Sequence, residues 1–186
     1  MLKVNHALVS SSGSLALFAL TNPGLMAAPA ENVITYALVL AGATVGAVTP
    51  DMDIVIPSII PELIFNVLTA PFPKLRKKKI AFGHRTYTHS LLAVGFFALL
   101  TTLSWLIPEK FVFYLLLGHL FGYIFHLIAD MMTVSGVPLL WFFNNKKFHV
   151  LPTFLRIVTG KSAMERVYAV MMFMAGLYVF YIHLGL

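Results

Sequence analysis

The chain carries seven histidines and seven acidic residues but no cysteine, so any metal it holds must rest on imidazole nitrogen and carboxylate oxygen. Disulfides, thiolate zinc sites, iron–sulfur clusters and cysteine nucleophiles fall away together. In "GYIFHLIADMMT", His126 and Asp130 stand four apart, on one helix stripe one turn apart, where both can reach a single ion. As an isolated pair, the same spacing serves equally well as a helix-terminal ion pair. In "TPDMDIV", Asp51 and Asp53 follow a proline at the end of an apolar stretch. Alternate residues of an extended segment point the same way, so both carboxylates could converge on one cation. In "FGHRTYTHSLLAV", a loop bearing His84 and Arg85 runs into an apolar segment whose first turn Thr88 or Ser90 can cap. His84 and His89 would diverge by about 140° on a regular helix, so they converge only if His84 is in the loop. Arg85 suits a phosphoryl oxygen or a lipid headgroup, while Thr86, Tyr87 and Thr88 suit hydrogen bonds that orient the imidazoles. Glu165 opens the last apolar stretch in "TGKSAMERV", where a helix N-terminus welcomes an acid in any case. His119 shares a face with His126 but lies about 10 Å further along the helix, and reads as a core residue. His149 and His183 read as surface residues away from any cluster.

Several carboxylates among three or more histidines suit divalent Zn, or else Mn, with two ions or more. Such a centre brings the pKa of a bound water toward about 7 and clamps the attacking and leaving oxygens of a phosphoester. Hydrolysis is therefore the chemistry expected, with Asp51 or Asp53 orienting or deprotonating the water and Arg85 steadying phosphoryl oxygens. The sequence contains no Gly-rich phosphate loop, Gly-x-Ser-x-Gly elbow or His-Glu-x-x-His helix, so NTPase, serine hydrolase and zincin readings have no foothold.

The elements that must position these residues follow from composition. Of 186 residues, 59% are hydrophobic and 11% charged, against roughly 45–50% and 25% for a soluble domain. With a mean hydropathy of +0.87, the surplus cannot be hidden in one core and must face lipid. The expected fold is all-α: a polytopic helical membrane protein, one domain over 1–186. About five windows approach the length of a transmembrane helix, at 6–20, 33–48, 90–107, 111–129 and 166–186. Prolines 50, 57, 61, 71 and 73 break the stretch 48–74 into a re-entrant or interfacial segment. The basic run "KLRKKK" at 74–79 and the loop with Lys146, Lys147, Arg156 and Lys161 belong on the cytoplasmic side. That puts the N-terminus inside and the C-terminus outside, in the inner (plasma) membrane. The opening stretch ends in "AAPA" like a signal peptide, yet Lys3 alone makes a poor positive region, so retention is expected. The net charge of +6 is explained by loops meeting anionic lipid, which makes the bilayer the expected partner and nucleic acid not one. Under this topology His6, Asp51, Asp53, His84, His89, Asp130 and Glu165 all fall at cytoplasmic ends, with His126 one turn deeper. Ionisable groups are costly in a membrane and usually functional there, so the chemistry is expected at one face.

These segments resemble the YdjM-like family of bacterial inner-membrane proteins, grouped as metal-dependent hydrolases and distantly similar to zinc-dependent phospholipase C and P1 nuclease. The likeness covers most of the chain and rests on His6, "PDMD", "FGHRTYTHSLLAV", "GYIFHLIADMMTVSGVPLLW" and the Gly-x-x-x-x-Glu ending at Glu165. It implies that His126 and Asp130 match that group's His-x-x-x-Asp, with the Asp bridging two metals. It also implies that Asp53, His84 and Glu165 supply ligands and that His6 is a ligand near the amino terminus, with His89 as the spare donor. The soluble enzymes also use the free amino group of a processed N-terminus, whereas His6 is internal here. The expected activity is phosphodiesterase or phospholipase-type hydrolysis at the cytoplasmic headgroup level, on phospholipid or lipid-linked phosphodiesters. Two rivals are a metal or proton transporter, which needs polar ligands through both leaflets, and a non-catalytic scaffold with a structural metal. Haem ligation by His119 and His126 is disfavoured by their two-turn spacing on one helix. Oligomeric state is not legible.

Overall fold

The computed structural model describes residues 3–22, 32–54, 86–141, 143–159 and 163–183. Among these are five α-helices and no β-strand: α1 (Lys3–Thr21), α2 (Val33–Val48), α3 (Leu91–Ser104), α4 (Lys110–Met131) and α5 (Ala163–His183). Short 3-10 turns cover Thr49–Ile54, Tyr87–His89 and Thr153–Leu155. Val33–Met52, Lys110–Met131 and Glu165–Ile182 are each long and apolar enough to cross a membrane. The stretches Leu8–Thr21 of α1 and Leu91–Ser104 of α3 are apolar but shorter. A serine run interrupts α1, and the 14 residues of α3 rise about 21 Å against a hydrocarbon core of about 30 Å.

Helix α3 stops at Ser104, three residues before the sequence suggests, because the chain tightens there into i→i−3 bonds before Pro108. Trp105, Leu106 and Ile107 donate to the carbonyls of Thr102, Leu103 and Ser104. Lys110 then covers this end, with Nζ 2.7 Å from the Trp105 carbonyl oxygen and 4.1 Å over the Trp105 ring. A cation is favoured at a helix C-terminus and over an indole face.

The helices alternate in direction, so α1, α3 and α5 begin at the end where α2 and α4 finish. At that end Asn5 of α1 bonds to Glu165 of α5, and Val9, Ala129 and Ala169 form a small core between α1, α4 and α5. At the opposite end Phe18 meets Tyr36 and Tyr114 edge-on at 6.2 Å, and Tyr36 meets Phe180 at 6.0 Å. Aromatic rings are favoured at a membrane–water boundary.

The tightest crossing joins α2 to α4. Val39, Gly42, Ala43, Gly46 and Ala47 form the buried stripe of α2, at helical spacing. Gly42 and Gly46 lie on α4 so closely that a Cβ would overlap the carbonyl oxygens of Leu115 and His119. Reciprocally, a Cβ at Gly118 or Gly122 would overlap those of Val39 and Ala43. Two Gly-x-x-x-Gly faces thus meet backbone to backbone, the arrangement by which helices associate in lipid without a hydrophobic driving force.

Helix α1 uses its serines similarly. Ser12 and Ser14 are buried and return their hydroxyls to the carbonyls of Leu8 and Ser10 at 2.9 and 2.5 Å, leaving slim surfaces for α2, α4 and α5. Gly176 of α5 fits against the Ser12 backbone.

The expectation for 48–74 meets the structure only as far as Ile54. Thr49–Ile54 is a 3-10 turn rather than an extended segment; the side chain of Asp53 lies outside the described residues. The rest of that segment, the basic run 74–79, His84 and Arg85 lie outside the described residues.

The glycine crossing makes a direct prediction for thermal unfolding in detergent, followed by circular dichroism. Gly42→Leu and Gly118→Leu should each destabilise the protein by about 1–3 kcal/mol or more, since backbone must move to admit the side chain. Gly95→Ala, whose added Cβ meets nothing within 4 Å, should change stability by no more than about 1 kcal/mol.

Candidate metal centre

His89 ends the 3-10 turn that precedes α3, its amide bonded to the Thr86 carbonyl at 3.1 Å. Ser90 caps the helix, accepting from the Ala93 amide at 3.4 Å and donating to the Tyr87 carbonyl at 2.6 Å. Tyr123 of α4 donates its hydroxyl to the Thr88 carbonyl, which ties this turn to the helix carrying His126 and Asp130. The loop 132–159 clamps the same region. Leu91 donates to the Leu139 carbonyl at 2.9 Å, while Val150 and Ile157 donate to those of Met131 and Met132 at 3.0 and 3.1 Å. The last carbonyls of α4, left over by the helix itself, are satisfied in this way.

From the other side, Asp51 is delivered by the turn that continues α2. Its Oδ1 stands 3.7 Å from Nε2 of both His89 and His126. Asp130 Oδ2 lies 3.4 Å from His89 Nε2 and 3.9 Å from His126 Nε2. The two imidazoles and Asp130 are fully buried, and Asp51 keeps 12% of its side chain exposed. Asp51, His89 and His126 offer ligand atoms within 4.8 Å of one another, so these three residues form a group able to hold a metal ion.

Three observations fit an ion rather than plain ion pairs. The four N···O separations exceed the roughly 2.7–2.9 Å of a charge-assisted hydrogen bond, and sit just above the about 3.3 Å between two ligands on a tetrahedral ion at Zn–N and Zn–O distances. His126 Nδ1 is 2.6 Å from the Ala47 carbonyl oxygen, which only accepts, so Nδ1 bears the hydrogen. In the neutral ring, Nε2 then presents its lone pair to the carboxylates, an arrangement that a cation between them makes favourable. His89 Nδ1 is 3.0 Å from Thr88 Oγ1, again turning Nε2 inward.

The structure therefore brings together Asp51, His89, His126 and Asp130. Glu165 is at the same end of the bundle, 1% exposed, with Oε1 accepting from Asn5 Nδ2 at 3.0 Å. His6 adjoins Asn5 on α1, and Asp53 shares the turn of Asp51, but their side chains lie outside the described set, as do His84 and Arg85 entirely. His119 is half-buried one level deeper, its ring 4.5 Å from that of Phe97. His149 bonds to the Val134 carbonyl at 3.2 Å in the loop. Ala47, Tyr123 and Asn5 support these residues without having been singled out in the sequence. Only Asn5, a polar residue inside an apolar helix, left a signal there.

The family model for the YdjM inner membrane protein matches residues 1–185. The chain belongs to the YdjM inner membrane protein family. Over 63 residues it is 54% identical to the inner membrane protein YdjM of Escherichia coli K12 and, equally, to that of Shigella flexneri. That stretch covers 33% of this chain and 31% of each relative. It is also 35% identical over 105 residues to the uncharacterized protein YvsG of Bacillus subtilis 168, covering 56% of this chain and 57% of YvsG. The matches thus span less than two thirds of these relatives' lengths. No solved structure matches. As a member of this YdjM family, the chain is a membrane protein of the inner-membrane type.

Elemental analysis of protein purified in detergent should find a retained divalent metal in the wild type, and loss of most of it in His126→Ala and Asp51→Ala. Thr88→Val, which removes only the hydroxyl beside His89 Nδ1, should weaken metal affinity on the order of 10–100-fold.

Proposed function

We propose that the protein is a membrane-bound, metal-dependent hydrolase of phosphodiesters, acting on phospholipid or lipid-linked substrates at the cytoplasmic headgroup level. The observation that carries this reading is the convergence of Asp51, His89 and His126, with Asp130 beside them, at one end of an apolar helix bundle. Zinc suits the donor set best and manganese next. A second ion would draw on Glu165, which lies at the same end of the bundle, together with His6, Asp53 and His84. When bound, such ions polarise a phosphoryl oxygen and make a water molecule acidic enough to attack at neutral pH.

The chain's own groups have distinct tasks in this reading. The Ala47 carbonyl and the Thr88 hydroxyl hold the imidazoles with Nε2 inward. Asp130, fully buried, balances positive charge from the protein side. Asp51 or Asp53, from the turn that keeps some exposure, orients the water and receives its proton. Arg85 steadies the phosphoryl oxygens. Lys146, Lys147 and Arg156 lie on the loop that joins α4 to α5 at this same end, which supports a cytoplasmic placement. Transport and scaffold readings lack a comparable observation. Beyond His119 the described helices pack through Phe18, Tyr36, Tyr114 and Phe180 rather than through further ligands.

Purified protein should hydrolyse bis(p-nitrophenyl) phosphate, lose the activity with a chelator, and regain it with zinc or manganese. His126→Ala and Asp51→Ala, checked for folding, should lose activity by on the order of a hundredfold or more. Metal-loaded protein inactive on both soluble and lipid phosphodiesters would defeat this reading.

A further inference from the structure

A cavity of about 410 Å3 is lined by residues adjacent in sequence to the candidate metal ligands, though by none of the ligands themselves. Its inner end is framed by the neighbours of the donors themselves: Met52 follows Asp51, Thr88 and Ser90 flank His89, and Tyr123 lies three residues before His126. From there it runs outward between α3, which contributes Leu92, Ala93, Phe96 and Phe97, and Trp141 of the loop. The volume falls low in the range of small-ligand sites, roughly 300–1,000 Å3, and the walls are almost wholly apolar. Its outer rim is continuous with the bilayer-facing surface. Leu92 and Phe96 are 55% and 57% exposed and fall on one stripe with Leu99 and Leu103, which are 56% and 50% exposed.

A soluble substrate has no use for an almost wholly apolar groove lined by the neighbours of the candidate ligands. A molecule with a phosphate head and a long apolar tail fits both ends at once. We infer that this groove seats one acyl chain of a bilayer phospholipid, so that the headgroup phosphate is presented to Asp51, His89 and His126 without the lipid leaving the membrane. The inference rests on the hydrolase reading for what happens to the head, but the seat of the chain does not depend on turnover. Burying the chain along Phe96, Phe97 and Trp141 exchanges one apolar surrounding for another, so the groove selects by shape and costs little desolvation. Ala93, the smallest residue among the α3 walls, sets the space that remains open.

The test uses the full-length protein in nanodiscs with a phosphatidylglycerol carrying a diazirine midway along one acyl chain, followed by mapping of photoadducts by mass spectrometry. Adducts should concentrate on Phe96, Phe97 and Trp141. Ala93→Trp, which fills the groove, should cut their yield at least about fivefold. Gly95→Trp, on a residue outside the groove and facing open space, should leave it unchanged. Adducts spread evenly around α3 and α4, or insensitive to Ala93→Trp in folded protein, would mean annular lipid only and overturn the inference. If Ala93→Trp does not fold, Leu92→Trp at the exposed rim takes its place with the same two outcomes. Labelling needs neither metal nor hydrolysis, so an inactive protein that still labels the groove defeats only the hydrolase reading. An active protein that does not label it defeats only this one.

Discussion

The register between α2 and α4 is set where their backbones touch, and the candidate metal centre inherits its geometry from that contact. Side chains of ordinary size would hold two helices about 8–10 Å apart. Gly42, Gly46, Gly118 and Gly122 remove them, and the facing carbonyls come into Cα–H···O range, each such contact contributing about 0.5–1 kcal/mol. One residue beyond Gly46, the Ala47 carbonyl is consequently close enough to take the hydrogen of His126 Nδ1. One turn further, the chain has left the α-helix for the 3-10 turn that aims Asp51 at both imidazoles. A spacing error of an ångström at the glycines would be carried straight to the ligands.

Burial sets the second constraint. Asp130, His89 and His126 are fully enclosed, and an enclosed carboxylate is tolerable only when paired or bound to a cation. In mid-bundle the hydroxyls of Ser12, Ser14 and Thr101 bond to carbonyls one turn earlier in their own helices. The site end is different, because its polar groups face one another rather than their own helices. That contrast sets the candidate site apart from the helix packing around it.

Much of this was legible in the amino-acid order. The apolar windows located all five described helices, Val33–Val48 to the residue, and Asp51, His89, His126, Asp130 and Glu165, expected toward one face, do lie at one end of the bundle. His126 and Asp130 were found by their spacing, and Ser90 by its capping position. His89, one of the candidate ligands and the spare donor in the family likeness, stands in the group Asp51, His89 and His126, presented by a 3-10 turn rather than a helix. The extended backbone expected around Asp51 and Asp53 is instead a 3-10 turn from Thr49 to Ile54, a threefold path that two-residue alternation does not describe. The glycine pairs were present as Gly-x-x-x-Gly on two separate helices, but nothing local says that the two faces oppose each other. That depends on the long-range fold. Ala47 and Tyr123 act through a carbonyl and a reach across helices, neither of which residue type alone announces.

The loop 132–159 joins the two helix ends that hold His89 and Asp130. Through Leu139 it is fastened to the start of α3, and through Val150 and Ile157 to the finish of α4, with Val137 buried between them. Helices in a bilayer tilt and shift to match the thickness of the surrounding lipid. This strap of main-chain hydrogen bonds resists such adjustments at one extremity of the bundle. The separation of His89 from Asp130 is therefore tied to main-chain bonds at that end, whereas Asp51 depends on the glycine crossing of α2 and α4.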